Sequence, residues 1–392
     1  MSRIFLLAWR YIAFHKIKTL ILIICITSTI FLPIALNFLI EKFQAQLMSR
    51  AESTPLIIGA KGSRFDFVLH TLYFEAEMKD FISMSEVTKI RESGFALPIP
   101  LHIKYKARKY PVIGTTLDYF DFRNLKVAKG ANLNFIGECL LGYKVAQKLG
   151  MGPGDFLLSD PENVFDIGGT YPLKMHVVGV FAPSHSPDDY AVFVDIKTAW
   201  IIQGIGHGHQ DLSKTDDKLL ILGKEDNNVV GSAAVRQYTE ITENNIDSFH
   251  LHAPVEELPV SAIIAVPENK KSGVLLQGRY NLKDAQAQLV NPVKVVEEMM
   301  NMVFKVKRFF DANVILVSFS TILFLTLVIL LSLQLRKREM RTMFYLGCSR
   351  STIFTIQAAE LIIILLCSFC IAGLLTLASL NITPYIVRSL LI

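Results

Sequence analysis

Residues 204–211, GIGHGHQD, contain two alternating histidines and an aspartate, which are residue types that bind metal ions. Alternate side chains of an extended segment point to the same side. Imidazole and carboxylate groups together suit zinc or copper. His207, His209 and Asp211 are therefore candidate metal ligands. Further histidines lie on either side, His185 in SHSPDD and the pair in FHLHAP (residues 249–254). A polar, solvated loop without a ligand has the same composition, so both interpretations stay open.

Motifs of the common enzyme classes do not occur in the sequence. The chain has no Gly-x-x-x-x-Gly-Lys-Ser/Thr, Gly-x-Ser-x-Gly or His-Glu-x-x-His pattern, and the glycine-rich GAKGSRF at 59–65 lacks phosphate-loop spacing. We therefore expect no catalytic activity, no cofactor in this chain and no ATP site of its own, while a zinc ion at the histidines stays open.

The composition indicates a membrane protein with a large water-exposed part. The chain is 51% hydrophobic, yet 19% of its residues are charged. Three segments exceed the ~20 apolar residues that a helix needs to cross a bilayer: 19–40, 312–335 and 353–380. The first is longer than a signal-peptide core and has no small-x-small cleavage site after it, which favours an uncleaved anchor.

Basic residues predict the orientation. They are concentrated in residues 1–18 and 336–350, so both segments are expected on the cytoplasmic side. Residues 2–16 are amphipathic, as in a helix lying on the membrane surface. Basic and acidic residues nearly balance between the first two spans, which argues against nucleic acid as a partner. Only Cys139 lies in that region, so it cannot form an internal disulfide.

The region between the first two spans alternates strand and helix patterns. A hairpin is predicted to turn at Ala107–Arg108. A helix over 83–94 has Ser83 and Glu86 placed for a capping box and Gly94 at its end. Residues 272–282 have the pattern of a strand, and 291–335 that of one long helix entering the second span.

A short charged segment, LRKREMRTMFYLGCSR at 335–350, separates the second and third spans. Residues 339–345 suit a short helix along the membrane surface, Gly347 suits its end, and Ser349 suits the cap of the next span. A basic loop that only stops membrane insertion would explain the charges, but not this order of helix, glycine, serine and helix.

This segment resembles the cytoplasmic coupling segment of the MacB/FtsX-like ABC transporter permeases. The match covers the basic run, Arg-Glu-hydrophobic, Leu-Gly-x-Ser-Arg and an early Glu360 in the following span, with Cys348 where alanine is common. The N-terminal LAWRYIAFHKIKTLILI is similar to the family's first helices, and residues 139–160 and 175–200 are similar to its periplasmic core domain. The resemblance assigns ATPase coupling to Arg338, Glu339, Met340, Met343, Leu346, Gly347, Ser349 and Arg350.

The resemblance implies a fold and a set of partners. The fold is a multi-pass inner-membrane protein with α-helical spans and a large α+β periplasmic domain between spans 1 and 2. The partners are a cytoplasmic ABC ATPase subunit, membrane lipid, a second permease as homodimer or heterodimer, and a periplasmic adaptor or lipoprotein. The implied boundaries are 1–18 interfacial helix, 19–40 span 1, 41–290 periplasmic domain, 291–311 stalk, 312–335 span 2, 336–352 coupling segment, 353–380 span 3 and 381–392 tail.

Three functions fit this resemblance. The first is a permease subunit that turns ATP hydrolysis into motion of the periplasmic domain, for export or relocation of a periplasmic or outer-leaflet substrate. The second is an FtsX-like regulator that activates a periplasmic enzyme. The third is a zinc-linked transport or sensing module. The family usually has four spans and three occur here, so a truncated sequence, a helix from a partner or a member lacking that helix are all open.

Overall fold

The computed structural model describes residues 2–161, 172–209, 221–225, 228–231, 238–282 and 285–391. These residues divide into two compact units. One contains 1–47 and 298–392 and is called here the membrane unit. The other contains 48–297 and is called the sheet unit.

Eleven α-helices are present in the described residues. They are α1 Ser2–Phe14, α2 Lys16–Glu52, α3 Arg64–Tyr73, α4 Met84–Ser93, α5 Leu117–Phe122, α6 Tyr143–Leu149, α7 Ile196–Ile202, α8 Lys270–Tyr280, α9 Pro292–Leu335, α10 Lys337–Tyr345 and α11 Arg350–Leu391.

Sixteen β-strands accompany these helices in the described part of the chain. They are β1 Leu56–Ala60, β2 Ile82–Ser83, β3 Ala96–Ala107, β4 Tyr110–Thr115, β5 Val127–Gly130, β6 Glu138–Leu141, β7 Phe156–Leu158, β8 Lys174–Phe181, β9 Val192–Asp195, β10 Gly206–Gly208, β11 Ile221–Glu225, β12 Asn228–Gly231, β13 Phe249–Leu251, β14 Pro259–Val260, β15 Ala262–Pro267 and β16 Ala287–Val290.

Three helices are long and apolar enough to cross a membrane: Lys16–Glu52, Pro292–Leu331 and Arg350–Ser379. This confirms the prediction of about three spans. Helix α2 continues through Pro33, and α11 runs without a break to Leu391, through the residues expected to form a tail.

Small polar side chains join the helices of the membrane unit. Thr27 Oγ1 donates to the Ser368 carbonyl at 3.4 Å, and the hydroxyls of Thr29 and Thr321 lie 3.3 Å apart. Such contacts between α2, α9 and α11 are typical of membrane helices, because lipid offers polar groups no alternative partner. Leu22, Ile26 and Ile364 are buried beside them.

The sheet unit is built on a ten-stranded mixed sheet. Its strand order is β16-β1-β15-β3-β4-β9-β6-β8-β5, with β7 also paired to β8. β4 and β9 are parallel, as are β6 and β8, and the other pairs are antiparallel. This mixture of helices and sheet confirms the predicted α+β class. All five residues of β1 are buried, as expected for a strand covered on both faces.

The hairpin predicted at Ala107–Arg108 is confirmed. β3 and β4 pair antiparallel with Ala107 opposite Tyr110. Arg108 and Lys109 both have positive φ, 48° and 74°. Positive φ at both central residues is typical of the tight turns whose twist matches the flanking strands.

Two local predictions need correction. Residues 272–282 were expected to form a strand, but they lie mostly in α8. Asn269 caps that helix by accepting from the Ser272 backbone N–H at 2.9 Å. The capping box of α4 also does not form, because the Ser83 side chain makes no cap bond and the Glu86 carboxylate accepts from Tyr280 at 3.0 Å instead.

Candidate functional site

The predicted coupling segment forms a separate short helix, α10, between two membrane-spanning helices. Gly347 ends it with φ of +93°, a conformation that side chains with a Cβ rarely adopt. The Ser349 hydroxyl then accepts from the Thr352 backbone N–H at 3.1 Å and caps α11. The helix, its glycine end and the serine cap predicted from the sequence are thus all observed, whereas a role in ATPase coupling stays a prediction.

One side of α10 contacts α11. Gln357 Nε2 lies 3.0 Å from Met340 Sδ, and the Arg350 guanidinium lies 5.8 Å from the centre of the Phe344 ring. Met343 is half-buried. These contacts hold one face of the helix, so its opposite face is left for other partners.

The other side of α10 is exposed and both apolar and basic. Tyr345 is 83% exposed and Leu346 80% exposed. Arg338 and Arg341 are exposed as well. Glu339 lies in the helix between them. Exposed aromatic and aliphatic side chains beside arginines are the composition of protein-binding surfaces.

An ion pair that the sequence did not single out fixes the start of α10. Arg336 Nη1 donates to both carboxylate oxygens of Glu360, at 3.0 and 3.1 Å, and both side chains are only 12% exposed. The same guanidinium lies 3.5 Å from the centre of the Tyr11 ring in α1. Three helices therefore meet at Arg336. The signal in the sequence was an arginine at the start of the segment and an isolated glutamate early in the next span.

A second buried network lies in the sheet unit, where the chain leaves α2. Arg50 makes a bidentate pair with Asp188, at 2.6 and 2.9 Å. It also donates to the Tyr119 hydroxyl at 3.0 Å and to the Leu72 carbonyl at 3.1 Å. Arg50 is 8% exposed and Asp188 2%. The network ties the end of α2 to three other segments of the sheet unit.

The charge of Asp188 is held by these partners. Burial alone would raise its pKa, but Arg50 and the hydrogen bonds from Arg50 and Tyr119 outweigh burial, so the pKa of Asp188 is lowered. The stabilisation is complete above the ordinary carboxylate pKa of about 4 and is lost as the pH falls through the lowered value. The Asp188 carboxylate therefore has a structural role and is not a candidate metal ligand.

The histidines come together more closely than the sequence predicted. His207 on β10 is paired directly with His250 on β13. Potential ligand atoms of His207, His209 and His250 all lie within 4.8 Å of one another. The His207 and His252 ring centres are 4.6 Å apart. Asp211, the third predicted ligand, lies outside the described residues. The zinc site itself stays a prediction.

His102 on β3 is a buried histidine whose two ring nitrogens have no hydrogen-bond partner in the described part of the chain. It is 1% exposed. Burial lowers its pKa to about 4. The unfolded chain therefore binds a proton between pH 6.5 and 4 that the folded chain does not bind.

We expect this difference to weaken the fold in acid. Between pH 7 and 4, His102 should cost about 3 kcal/mol of unfolding free energy. His102→Leu should remove that part of the pH dependence, which thermal unfolding of the detergent-purified chain at a series of pH values would measure. An unchanged pH slope in the variant would contradict the assignment.

Comparison with known proteins identifies the family of the region that includes most of the sheet unit. The family model of the MacB-like periplasmic core domain matches residues 19–237, more than half of the chain. The comparison with curated proteins gives no match.

Three solved structures are similar. The periplasmic region of MacB from Actinobacillus actinomycetemcomitans is 10% identical, with 65% of this chain and 98% of that chain covered and a TM-score of 0.35. The extracellular domain of the noncanonic ABC-type transporter YknZ from Gram-positive bacteria is 11% identical, with 60% and 98% covered and a TM-score of 0.32. A domain of a putative permease protein from Porphyromonas gingivalis is 12% identical, with 60% and 86% covered and a TM-score of 0.27.

The family match and the fold agree. The matched residues include the first apolar helix and most of the mixed sheet. Apolar helices long enough to cross a membrane lie before the sheet and after it. The chain belongs to the MacB/FtsX-like family of ABC transporter permeases, as a membrane protein with its α+β periplasmic domain between the first two membrane-spanning helices.

Proposed function

We propose that this permease subunit couples ATP hydrolysis by a separate cytoplasmic ATPase to motion of its periplasmic domain. The observation that carries the proposal is α10, a short helix between two spans with an exposed apolar and basic face. Its basic residues favour the cytoplasmic side, where an ATPase is found. Because α10 would then face a cytoplasmic ATPase, we also propose that the chain lies in the inner membrane. ATP would be hydrolysed by the ATPase subunit and not by this chain.

Helix α9 supplies a route for the motion. It contains 44 residues without a break, from Pro292 to Leu335, which at ~1.5 Å per residue span about 66 Å. That length exceeds the ~30 Å hydrocarbon core. A continuous helix that ends next to α10 suits a lever that moves when the ATPase closes on ATP.

The substrate side of the proposal follows from the family. We infer that the sheet unit handles a molecule already in the periplasm or outer leaflet. Many apolar side chains on α9 are exposed, among them Leu316 and Leu327. Lipid and a second permease subunit are the partners that would cover them.

The proposal is tested by purifying the full chain in mild detergent with a non-hydrolysable ATP analogue. We expect a P-loop ATPase to copurify in a fixed ratio, with hydrolysis restored when ATP is supplied. A periplasmic hydrolase in the same eluate would favour the FtsX-like regulator over a transporter. Purification of the intact chain with no ATPase, even after crosslinking, would contradict the proposal.

A further inference from the structure

Four histidines occupy one face of a short two-stranded ribbon in the sheet unit. The strands β10 and β13 pair antiparallel, with Gly206 opposite Leu251, His207 opposite His250 and Gly208 opposite Phe249. Side chains two residues apart on a strand share a face. His209 therefore lies on the face of His207, and His252 on the face of His250.

The ring distances show one compact cluster. The His207 ring centre lies 5.0 Å from that of His250 and 4.6 Å from that of His252. The His209 ring centre lies 5.3 Å from that of His250. Nitrogen atoms of His207, His209 and His250 come within 4.8 Å of one another. A tetrahedral zinc ion with bonds of about 2.0–2.1 Å to nitrogen places its ligand atoms roughly 3.3–3.4 Å apart, so side-chain rotations that bring the nitrogens closer by up to about 1.5 Å would complete the site.

The opposite face of the ribbon is held against apolar groups. A Cβ at Gly208 would lie 2.5 Å from the Phe249 ring, and one at Gly206 would lie 2.7 Å from the His250 carbonyl oxygen. Leu251, on this opposite face, packs against the core of the sheet unit. Glycine therefore alternates with histidine because one face lies against neighbouring groups, and the histidines are confined to the other.

We propose that His207, His209 and His250 bind one divalent transition-metal ion of the zinc class, with the His252 ring beside His207. Neutral imidazole nitrogen is a ligand for zinc, copper and nickel, whereas calcium and magnesium prefer oxygen. His250 Nδ1 lies 3.3 Å from the Ser248 carbonyl oxygen. Donation of the Nδ1 hydrogen to this oxygen would leave Nε2 for the metal, the usual second contact of a metal-bound histidine.

The electrostatics of the cluster favour the form that binds metal. Burial lowers the pKa of His207, and the neighbouring His252, His250 and His209 lower it further. Imidazole must be neutral to ligate a metal ion. The lowered pKa of His207 therefore favours the neutral ring that a metal ion binds.

The ion would join two segments about 40 residues apart in sequence. Metal occupancy would lock β10 to β13. The periplasmic domain would then respond to the metal ion. This inference does not depend on the ATPase partner, so the two proposals can fail separately.

The test uses the full chain in detergent, purified without a polyhistidine tag and stripped of metal with a chelator. We expect one Zn²⁺ per chain in titrations against a chromophoric competitor, undisturbed by excess Mg²⁺ or Ca²⁺. The His207→Ala and His250→Ala double variant should bind at least about 100-fold more weakly. His185→Asn is the matched control, since His185 is exposed and its φ of 54° suits asparagine.

A thermal measurement separates lost ligands from lost structure. Without metal, the double variant should unfold at the same temperature as the wild type. Zn²⁺ should raise the unfolding temperature of the wild type and of His185→Asn, but not that of the double variant. Equal Zn²⁺ binding by the double variant and the wild type would overturn the proposal. Weak binding of several ions by every form, or no binding by the wild type, would overturn it too.

Discussion

Arg50→Ala is expected to destabilise the sheet unit by ~3–5 kcal/mol, because it leaves the Asp188 carboxylate buried without its cation. Among the described residues, the Tyr119 and Ser186 hydroxyls would still donate to that carboxylate, at 2.7 and 2.8 Å. For a unit of this size the loss corresponds to a fall of about 6–20 °C in the unfolding temperature. Thermal unfolding of the detergent-purified chain at pH 7 measures it.

Two variants serve as controls for this prediction. Lys89→Ala breaks an exposed ion pair with Glu86, in which Lys89 is 53% exposed, and should change stability by less than ~1 kcal/mol. Arg50→Met combined with Asp188→Leu removes both charges and should recover part of the loss, since no unpaired charge stays buried. A single Arg50→Ala variant as stable as the Lys89→Ala variant would contradict the structural role of the pair.

Leu346→Asp combined with Arg338→Glu is expected to uncouple the permease. Arg338 is exposed on α10 and Leu346 is exposed directly after it, so the variant should still fold and insert. The new acidic groups would enter the proposed ATPase contact, where the loss of a central apolar anchor costs ~2 kcal/mol or more, about 30-fold in affinity. Both the ATPase retained per chain and the transport of substrate should fall by at least that factor.

The matched control for the uncoupling variant is Val274→Asp. Val274 is 67% exposed on α8 of the sheet unit and takes no part in the proposed contact. This variant should retain the full amount of ATPase. Equal retention by the α10 variant, with both proteins present at wild-type levels in the membrane, would exclude α10 as the docking element.

Local signals in the sequence predicted the elements that depend on neighbouring residues. The three apolar runs, the hairpin turn at Arg108 and the glycine end of α10 are determined by side chains within a few positions. The strand predicted over residues 272–282 was wrong, because two glycines and a short apolar run hide the helical spacing of Leu276 and Tyr280. Both of these side chains pack against the core.

Contacts between distant segments could not be predicted in the same way. Arg50 and Asp188 are 138 residues apart, and nothing near either residue marks the other as its partner. The sequence analysis noted His250 and His252 only as further histidines along the chain. The pairing of β10 with β13 is what brings them close to His207. Register between remote strands depends on the whole sheet unit, whose order no local pattern encodes.

The most direct test of ATPase coupling is photo-crosslinking from α10. Tyr345 would be replaced by a photo-reactive benzoylphenylalanine, and Val274 likewise in a control chain. The account predicts an ATP-dependent adduct between position 345 and a P-loop ATPase, and no such adduct from position 274. An active, membrane-inserted chain that gives no ATPase adduct from position 345, or gives one with a periplasmic protein instead, would contradict it.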